Sequence, residues 1–258
     1  MTEDAGLPVL WQMRFSHYNE KARWALDYKG VAHERRSIAP GLHRFKARRL
    51  YGGRTTPVLE LEGRMIGDSA EIIEELERTH PEPALYPGDD AERRRALELA
   101  GHFDRELGPQ LRGALFDSLT TERRTLVGAT TQGLGTGPRV AMTAAYPVIR
   151  PLIRRGLVDS VGGGEEARRA TLAGLDRLES ELGGGDYLAG GAFSVADLTA
   201  AALFCPLVAP REFAYEMPEA WPPGWAAFRD PLKERPGWRW VEEMYRRHRG
   251  TSAATLER

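Results

Sequence analysis

An α/β domain followed by an all-helical domain is what the sequence predicts, and three observations carry that prediction. Strand-like and helix-like patterns succeed one another as β-α-β-α-β-β-α up to Thr79. A proline-rich break, His80-Pro81-Glu82-Pro83, comes next. Beyond residue 90 strand signals are nearly absent, and apolar residues recur at spacings of three and four. The expected bounds are residues 1–85 and 89–258.

The first strand lies in Leu7–Gln12. Ser16-His17-Tyr18-Asn19 introduces a helix from Glu20 to Lys29, with Ala22, Ala25 and Leu26 at helical spacing and Gly30 as its stop. Ala32–Ile38 alternates as a second strand, and Leu42–Leu50 is rich in helix formers. Pro57–Ile66 reads as two short strands joined at Gly63, where a tight turn calls for positive φ. Asp68-Ser69 then precedes a closing helix, Ala70–Thr79, whose Ile72, Ile73 and Leu76 form a buried stripe.

In the second half, Ala96, Leu99, Ala100, Phe103 and Leu107 follow helical spacing, as do Leu172, Leu175, Leu178 and Leu182. Ser194-Val195-Ala196-Asp197 has the form of a capping box ahead of Leu198–Phe204, with Asp in place of the usual Glu. Gly162-Gly163-Gly164 and Gly183-Gly184-Gly185 mark breaks between helices. The apolar run Ala141–Ile149 reads as core or as the wall of a pocket.

Composition narrows the function. With 36 basic and 37 acidic side chains the net charge is −1, so no global field recruits nucleic acid or an anionic membrane. No apolar stretch is long enough to span a bilayer. The single cysteine, Cys205, excludes an internal disulfide and fits a reducing compartment, which makes cytoplasm the expected location. Gly133-Leu134-Gly135-Thr136-Gly137 follows no strand and lacks dinucleotide spacing. His102 and Asp104 diverge on a helix, and the six histidines show no zinc spacing, so no metal is expected.

Four segments resemble the glutathione transferase superfamily in order and spacing. They are Phe15–Leu26, Thr56-Pro57-Val58-Leu59, Asp68–Ile73, and Asp186-Tyr187-Leu188-Ala189-Gly190 with Ser194–Asp197. The resemblance implies a thioredoxin-like N-terminal domain, an all-helical C-terminal domain that contributes the acceptor pocket, and a homodimer. It also implies glutathione, or another low-molecular-weight thiol, as co-substrate for attack on a small hydrophobic electrophile, by conjugation or by related isomerase or lyase chemistry.

By that resemblance Pro57 is a cis-proline, and the backbone of Thr56 meets the cysteinyl part of the thiol. Ser69, at a helix start with free amides, holds the γ-glutamyl carboxylate, and Asp68 pairs with the ammonium. Ser16 falls where the superfamily carries its catalytic serine or cysteine. A hydroxyl donor at a helix N-terminus favours a thiolate over a thiol of pKa about 8.5. Tyr18 and Asn19 are alternatives for the sulfur contact, and with no cysteine at position 16 or 19 thioredoxin-style exchange is excluded. His43, Arg44, Lys46 and Arg54 are available for the glycine carboxylate, with His43 and Arg54 carried forward. A noncatalytic binding or interaction module on the same fold is the alternative reading.

Overall fold

The structure, a computed structural model, describes residues 6–218 and 220–257. Its first part follows the expected order: Val9–Gln12 (β1), His17–Tyr28 (α1), His33–Ser37 (β2), Leu42–Tyr51 (α2), Val58–Leu61 (β3), Arg64–Gly67 (β4) and Ser69–Thr79 (α3). β1 pairs parallel with β2 and antiparallel with β3, and β3 closes a hairpin with β4. Gly63 turns that hairpin at φ +75°. This is a thioredoxin-like sheet, and it brings the ends of β1 and β2 and the start of β3 to one edge of the domain.

The second part is built from Asp90–His102 (α4), Gly108–Leu119 (α5), Arg123–Thr130 (α6), Thr136–Ile153 (α7), Gly164–Leu182 (α8), Val195–Val208 (α9), Pro223–Arg229 (α10) and Pro236–His248 (α11). A π-helical turn, Phe103–Leu107, joins α4 to α5 without a break in the rod. Every residue of α9 is buried. Each fully buried Leu or Phe there contributes about 1.5–3 kcal/mol, so α9 serves as the core element against which α1, α4 and α11 pack. Its start is the predicted box: the Ser194 hydroxyl accepts from the Ala196 amide, and Asp197 accepts from the Ser194 amide at 2.9 Å. Burial pushes the Asp197 pKa up to about 6, against three hydrogen bonds from Leu188 and Ser194 that lower it.

Two expectations fail. The second half is not wholly helical, because Ala254–Glu257 (β5) returns to the first domain and pairs parallel with β2, giving a five-stranded sheet in the order β4-β3-β1-β2-β5. A four-residue edge strand with no apolar alternation is invisible to periodicity; Arg14, ion-paired with Glu257 at 2.6 Å, helps to hold it. The run Ala141–Ile149 is for the most part not core. It lies on α7, where Met142 is the sole buried residue, and Val140 and Val148 stand 67% and 68% exposed.

The domains meet along α1. Its Trp24 stacks on Phe193 with ring centroids 5.7 Å apart and donates its indole N–H to the His248 carbonyl at 2.9 Å. Trp24 also lies 4.4 Å from the Tyr245 ring. One face of α1 therefore belongs to each core.

Candidate functional site

Ser16 is the N-cap of α1, in extended backbone, with its hydroxyl accepting from the Asn19 amide at 3.4 Å. That bond is long, and an accepting hydroxyl keeps its proton free to donate elsewhere. Ser16 is partly exposed, at the positive end of a twelve-residue helix.

The other residues expected at the site gather by topology. The Thr56–Pro57 peptide is cis, as expected. Asn19, buried, donates to the Thr56 hydroxyl at 3.3 Å and accepts from the Met13 amide at 3.2 Å, tying the α1 start to the cis-proline segment. Asn19 is thereby committed to the scaffold. Val58 pairs with Gly67 across the hairpin, so Pro57 lies opposite Asp68. Asp68 caps α3 through a 2.8 Å bond from the Ala70 amide and sits at φ +70°, an unusual conformation for a side-chain-bearing residue that costs on the order of 1–3 kcal/mol. Its carboxylate is exposed, whereas Ser69 is buried at the first position of α3. A carboxylate, a capped helix start, an edge of extended backbone and a hydroxyl thus line one end of the sheet.

His43 and Arg54 flank this end without joining it. His43 opens α2, accepts from the Gly41 amide at 3.1 Å, and has its pKa lowered by burial and by Arg44. Arg54 is exposed in the loop leading to Pro57, with no hydrogen bond or ion pair among the described residues. Lys46 is turned away, its ammonium 4.0 Å from the centre of the Trp11 ring. Tyr51 braces that loop by donating to the Thr55 carbonyl at 3.1 Å.

Against the start of α1 the helical domain packs the π-helical turn and the first turns of α5. Tyr18 donates to the Asp104 carbonyl at 2.8 Å, so its hydroxyl proton is spent on the other domain. Burial raises its pKa, which keeps it protonated. Gly108 permits this approach, since a Cβ there would overlap the Tyr18 hydroxyl. Asp104 pairs with Lys21, a second strap between the domains, and burial nonetheless pushes its carboxyl pKa up. His17 is buried, with Nε2 lacking a partner among the described residues; burial first, then Arg112, pushes its pKa down to about 3, so the ring is neutral. Arg112 was not singled out in the sequence. It lies one position off the apolar stripe of α5, which is the usual place of a solvated arginine, and no local signal betrays that it faces α1.

Behind α1 lies a buried ionic cluster. Arg23 pairs with Glu20 at 2.8 Å, Arg35 with Asp27 at 2.6 Å, and Arg249 bridges Glu20 at 2.7 Å and Asp27 at 2.8 Å. Burial raises the Asp27 pKa, but Arg35 and Arg249 outweigh it and leave the carboxyl below its ordinary value. Three guanidiniums thus share two carboxylates.

Among the described residues no group of three His, Cys, Asp or Glu side chains converges as a metal site requires, and no helix is long and apolar enough to cross a membrane. The family model for the glutathione S-transferase N-terminal domain matches residues 10–84, and that for the C-terminal domain matches residues 162–239. A maleylacetoacetate isomerase of Dictyostelium discoideum is 31% identical over 118 residues, 42% of this chain and 51% of its own. The chain thus spans about half the length of that relative. Among solved structures, glutathione transferase GSTFuA3 from Phanerochaete chrysosporium aligns at a TM-score of 0.61 with 17% identity, covering 96% of this chain and 99% of its own. Beta-etherase LigF from Sphingobium sp. strain SYK-6 aligns at 0.57 with 21% identity, covering 92% and 99%.

Proposed function

Because the chain belongs to the glutathione transferase superfamily, we propose that it is a glutathione-dependent enzyme in which Ser16 stabilises the thiolate for attack on a small electrophile. The observation that carries this reading is the position of Ser16: a hydroxyl with a free proton, partly exposed, at the N-terminus of α1 and tied through Asn19 to the cis-Pro57 segment.

The residues present suit the tripeptide. Thr56 offers a main chain that takes part in no turn or loop hydrogen bond among the described residues, as an extended cysteinyl unit needs for strand-like pairing. The start of α3, with Ser69 and the Asp68 carboxylate beside it, matches an α-amino acid head that carries both charges. His43 and Arg54 stand on the side where the glycine end would emerge.

In the reaction the sulfur lone pair forms the new C–S bond. In a substitution the leaving group departs with the bonding pair. In an addition the pair of the C=C bond moves to the neighbouring carbon, which then takes a proton; reversal of the addition after rotation gives isomerisation. Lowering a thiol pKa by two units requires about 2.7 kcal/mol of preference for the anion. A charge-assisted hydrogen bond from Ser16 and the α1 dipole together reach that magnitude.

Calorimetry with glutathione, then a thiolate absorbance titration of the complex, tests the reading. Ser16→Ala should leave glutathione affinity nearly unchanged, raise the bound thiol pKa by about one to two units, and cost about 1 kcal/mol of stability through the lost cap. An unaltered thiol pKa in the variant removes Ser16 from the chemistry. Absence of any thiol binding favours the noncatalytic module instead.

A cytoplasmic homodimer completes the proposal. The lone thiol, Cys205, is free and buried, which suits a reducing compartment. Leu42 and Phe45 on α2, and separately Val140, Val148 and Leu152 on α7, stand largely exposed, apolar side chains of the kind that a partner covers. Sedimentation at rising concentration checks this, with a monomer throughout counting against it.

A further inference from the structure

Buried cations in this protein come with anions. Lys21 has Asp104, Arg23 has Glu20, Lys29 has Glu77, Arg35 has Asp27, and Arg249 has two carboxylates. Arg229, whose Nε is also buried without a partner, is compensated differently, between the rings of Trp221 and Trp238 and by a hydrogen bond to the Val208 carbonyl at 2.9 Å. Arg112 has neither arrangement. Its Nε is buried without a partner, it forms no ion pair among the described residues, and burial lowers its pKa.

The groups around Arg112 offer it no negative charge. His17 is neutral, with its own Nε2 orphaned. Tyr18 is protonated and committed to Asp104, and the Asp104 carboxylate is paired with Lys21 while its Oδ1 is left buried and unpartnered. Three orphaned polar atoms, on His17, Asp104 and Arg112, therefore belong to the seam where the α1 start meets the π-helical turn and α5. Buried polar atoms are nearly always satisfied in a native protein, and a cluster of exceptions calls for a missing ligand or solvent. A guanidinium is built to take a carboxylate through two parallel hydrogen bonds.

We infer that Arg112 is an anion subsite for the second substrate, so that the electrophile accepted by this protein carries a carboxylate. The inference rests on the thiol-binding reading, which sets the sulfur at Ser16 and the thiol's own charged ends on the sheet side, at α3 and near Arg54. Arg112 comes from α5 on the helical domain, next to His17 and Tyr18, the two residues that follow Ser16. A carboxylate held there places the rest of an acceptor between the helical domain and the sulfur.

Binding, rather than turnover, tests this most directly. The probes are glutathione, the preformed glutathione conjugate of ethacrynic acid, and the conjugate of its methyl ester, each titrated calorimetrically into the full chain. The acid conjugate should bind about tenfold or more tightly than the ester, the value of one hydrogen-bonded charge pair. Arg112→Met should bring that ratio near one, and Arg112→Lys, which keeps the charge without the planar fork, should fall between. An acid-to-ester ratio that survives Arg112→Met overturns the inference, and if both conjugates still bind, the thiol reading stands alone. If Arg112→Met weakens glutathione itself as much as the acid conjugate, the arginine serves the thiol and the acceptor assignment fails. No binding of glutathione or of either conjugate removes the thiol reading and this inference together, whereas acid-selective conjugate binding without free glutathione binding keeps the subsite and removes the thiol reading.

Discussion

The two faces of α1 carry similar residues and treat them in opposite ways. Behind the helix, Glu20, Arg23, Asp27, Arg35 and Arg249 are buried with each side chain in an ion pair, three guanidiniums sharing two carboxylates, and Ser252 and the Ala253 amide add hydrogen bonds to Asp27 at 3.3 and 2.8 Å. In front, His17, Asp104 and Arg112 keep buried polar atoms with no partner. Desolvation is costly on both faces. The chain pairs the charges itself on the side that joins the two domains to the returning C-terminal strand, where only the Tyr245 hydroxyl among the groups named lacks a partner, and leaves three polar atoms unpaired on the side of the π-helical turn and α5. The closed cluster is architecture, and the open one is where a ligand's charges are expected.

The largest effect should come from breaking the closed cluster. Asp27→Ala leaves Arg35 and Arg249 buried with less counter-charge and frees the segment that carries β5. Removing one partner of a buried ionic group costs about 3–5 kcal/mol. Denaturant unfolding should show that loss, and amide exchange should place part of it in β2 and in Ala254–Glu257. A loss below about 1 kcal/mol, the size of a surface pair, means that solvent reaches the cluster and that the contrast between the faces is weaker than the burial of Glu20 and Asp27 indicates.

A smaller effect comes from His17 and has a sign. In the unfolded chain its pKa is near 6.5, and in the fold it lies near 3, so between those values the unfolded state binds the proton and the native state does not. Stability is therefore highest above pH 6.5 and falls as the pH drops toward 3, by up to about 1.4 kcal/mol per unit. His17→Asn should lose this slope. Comparing parent with variant from pH 7 to 5 cancels the contribution of His33, His43 and His248, whose pKa values burial also lowers. Equal slopes in the two proteins place His17 in contact with water and weaken the description of the front face as desolvated.

Which parts of this were legible in the sequence follows from range. The β-α-β-α-β-β-α order, the Gly63 turn and the capping box at Ser194 depend on residues within a few positions of one another, and all are found where expected. The cis bond at Pro57 and the choice of Ser16, Thr56, Asp68 and Ser69 came instead from the family resemblance; the bond is cis, and topology brings the four residues to one end of the sheet. The strand β5 was not, because its pairing depends on Asp27 and Arg14, more than 220 positions away, and on no pattern of its own. Nor was the exposure of Ala141–Ile149, since an apolar run looks alike whether it is covered by its own chain or by another. Arg112 was hidden by regularity. Its neighbours Leu111, Ala114 and Leu115 form the stripe that periodicity detects, and the residue beside such a stripe looks solvated until the tertiary contact with α1 is known.

The smallest change in stability should be the most telling. Arg112→Met replaces an unpaired, largely desolvated cation with an unbranched apolar chain of similar reach. If the site were architecture, like the cluster behind α1, the substitution would cost several kcal/mol, as at Asp27. If the charge is held there for a ligand, the native state loses little, because no ion pair breaks and a desolvation penalty disappears; replacement of buried ionic groups by packed apolar ones is often neutral or favourable by about 1–4 kcal/mol. The expected outcome without ligand is a change within about 1 kcal/mol, toward gain, and a release of Arg112 suppression on His17 that raises its folded pKa, so that the acid loss still begins near pH 6.5 but levels off sooner and is smaller. A clear destabilisation would mean that Arg112 has an intramolecular role that its orphaned Nε does not reveal. Stability gained where ligand selectivity is lost is the signature of a residue kept for function at the expense of the fold, and it separates the two faces of α1 by the sign of an effect rather than its size.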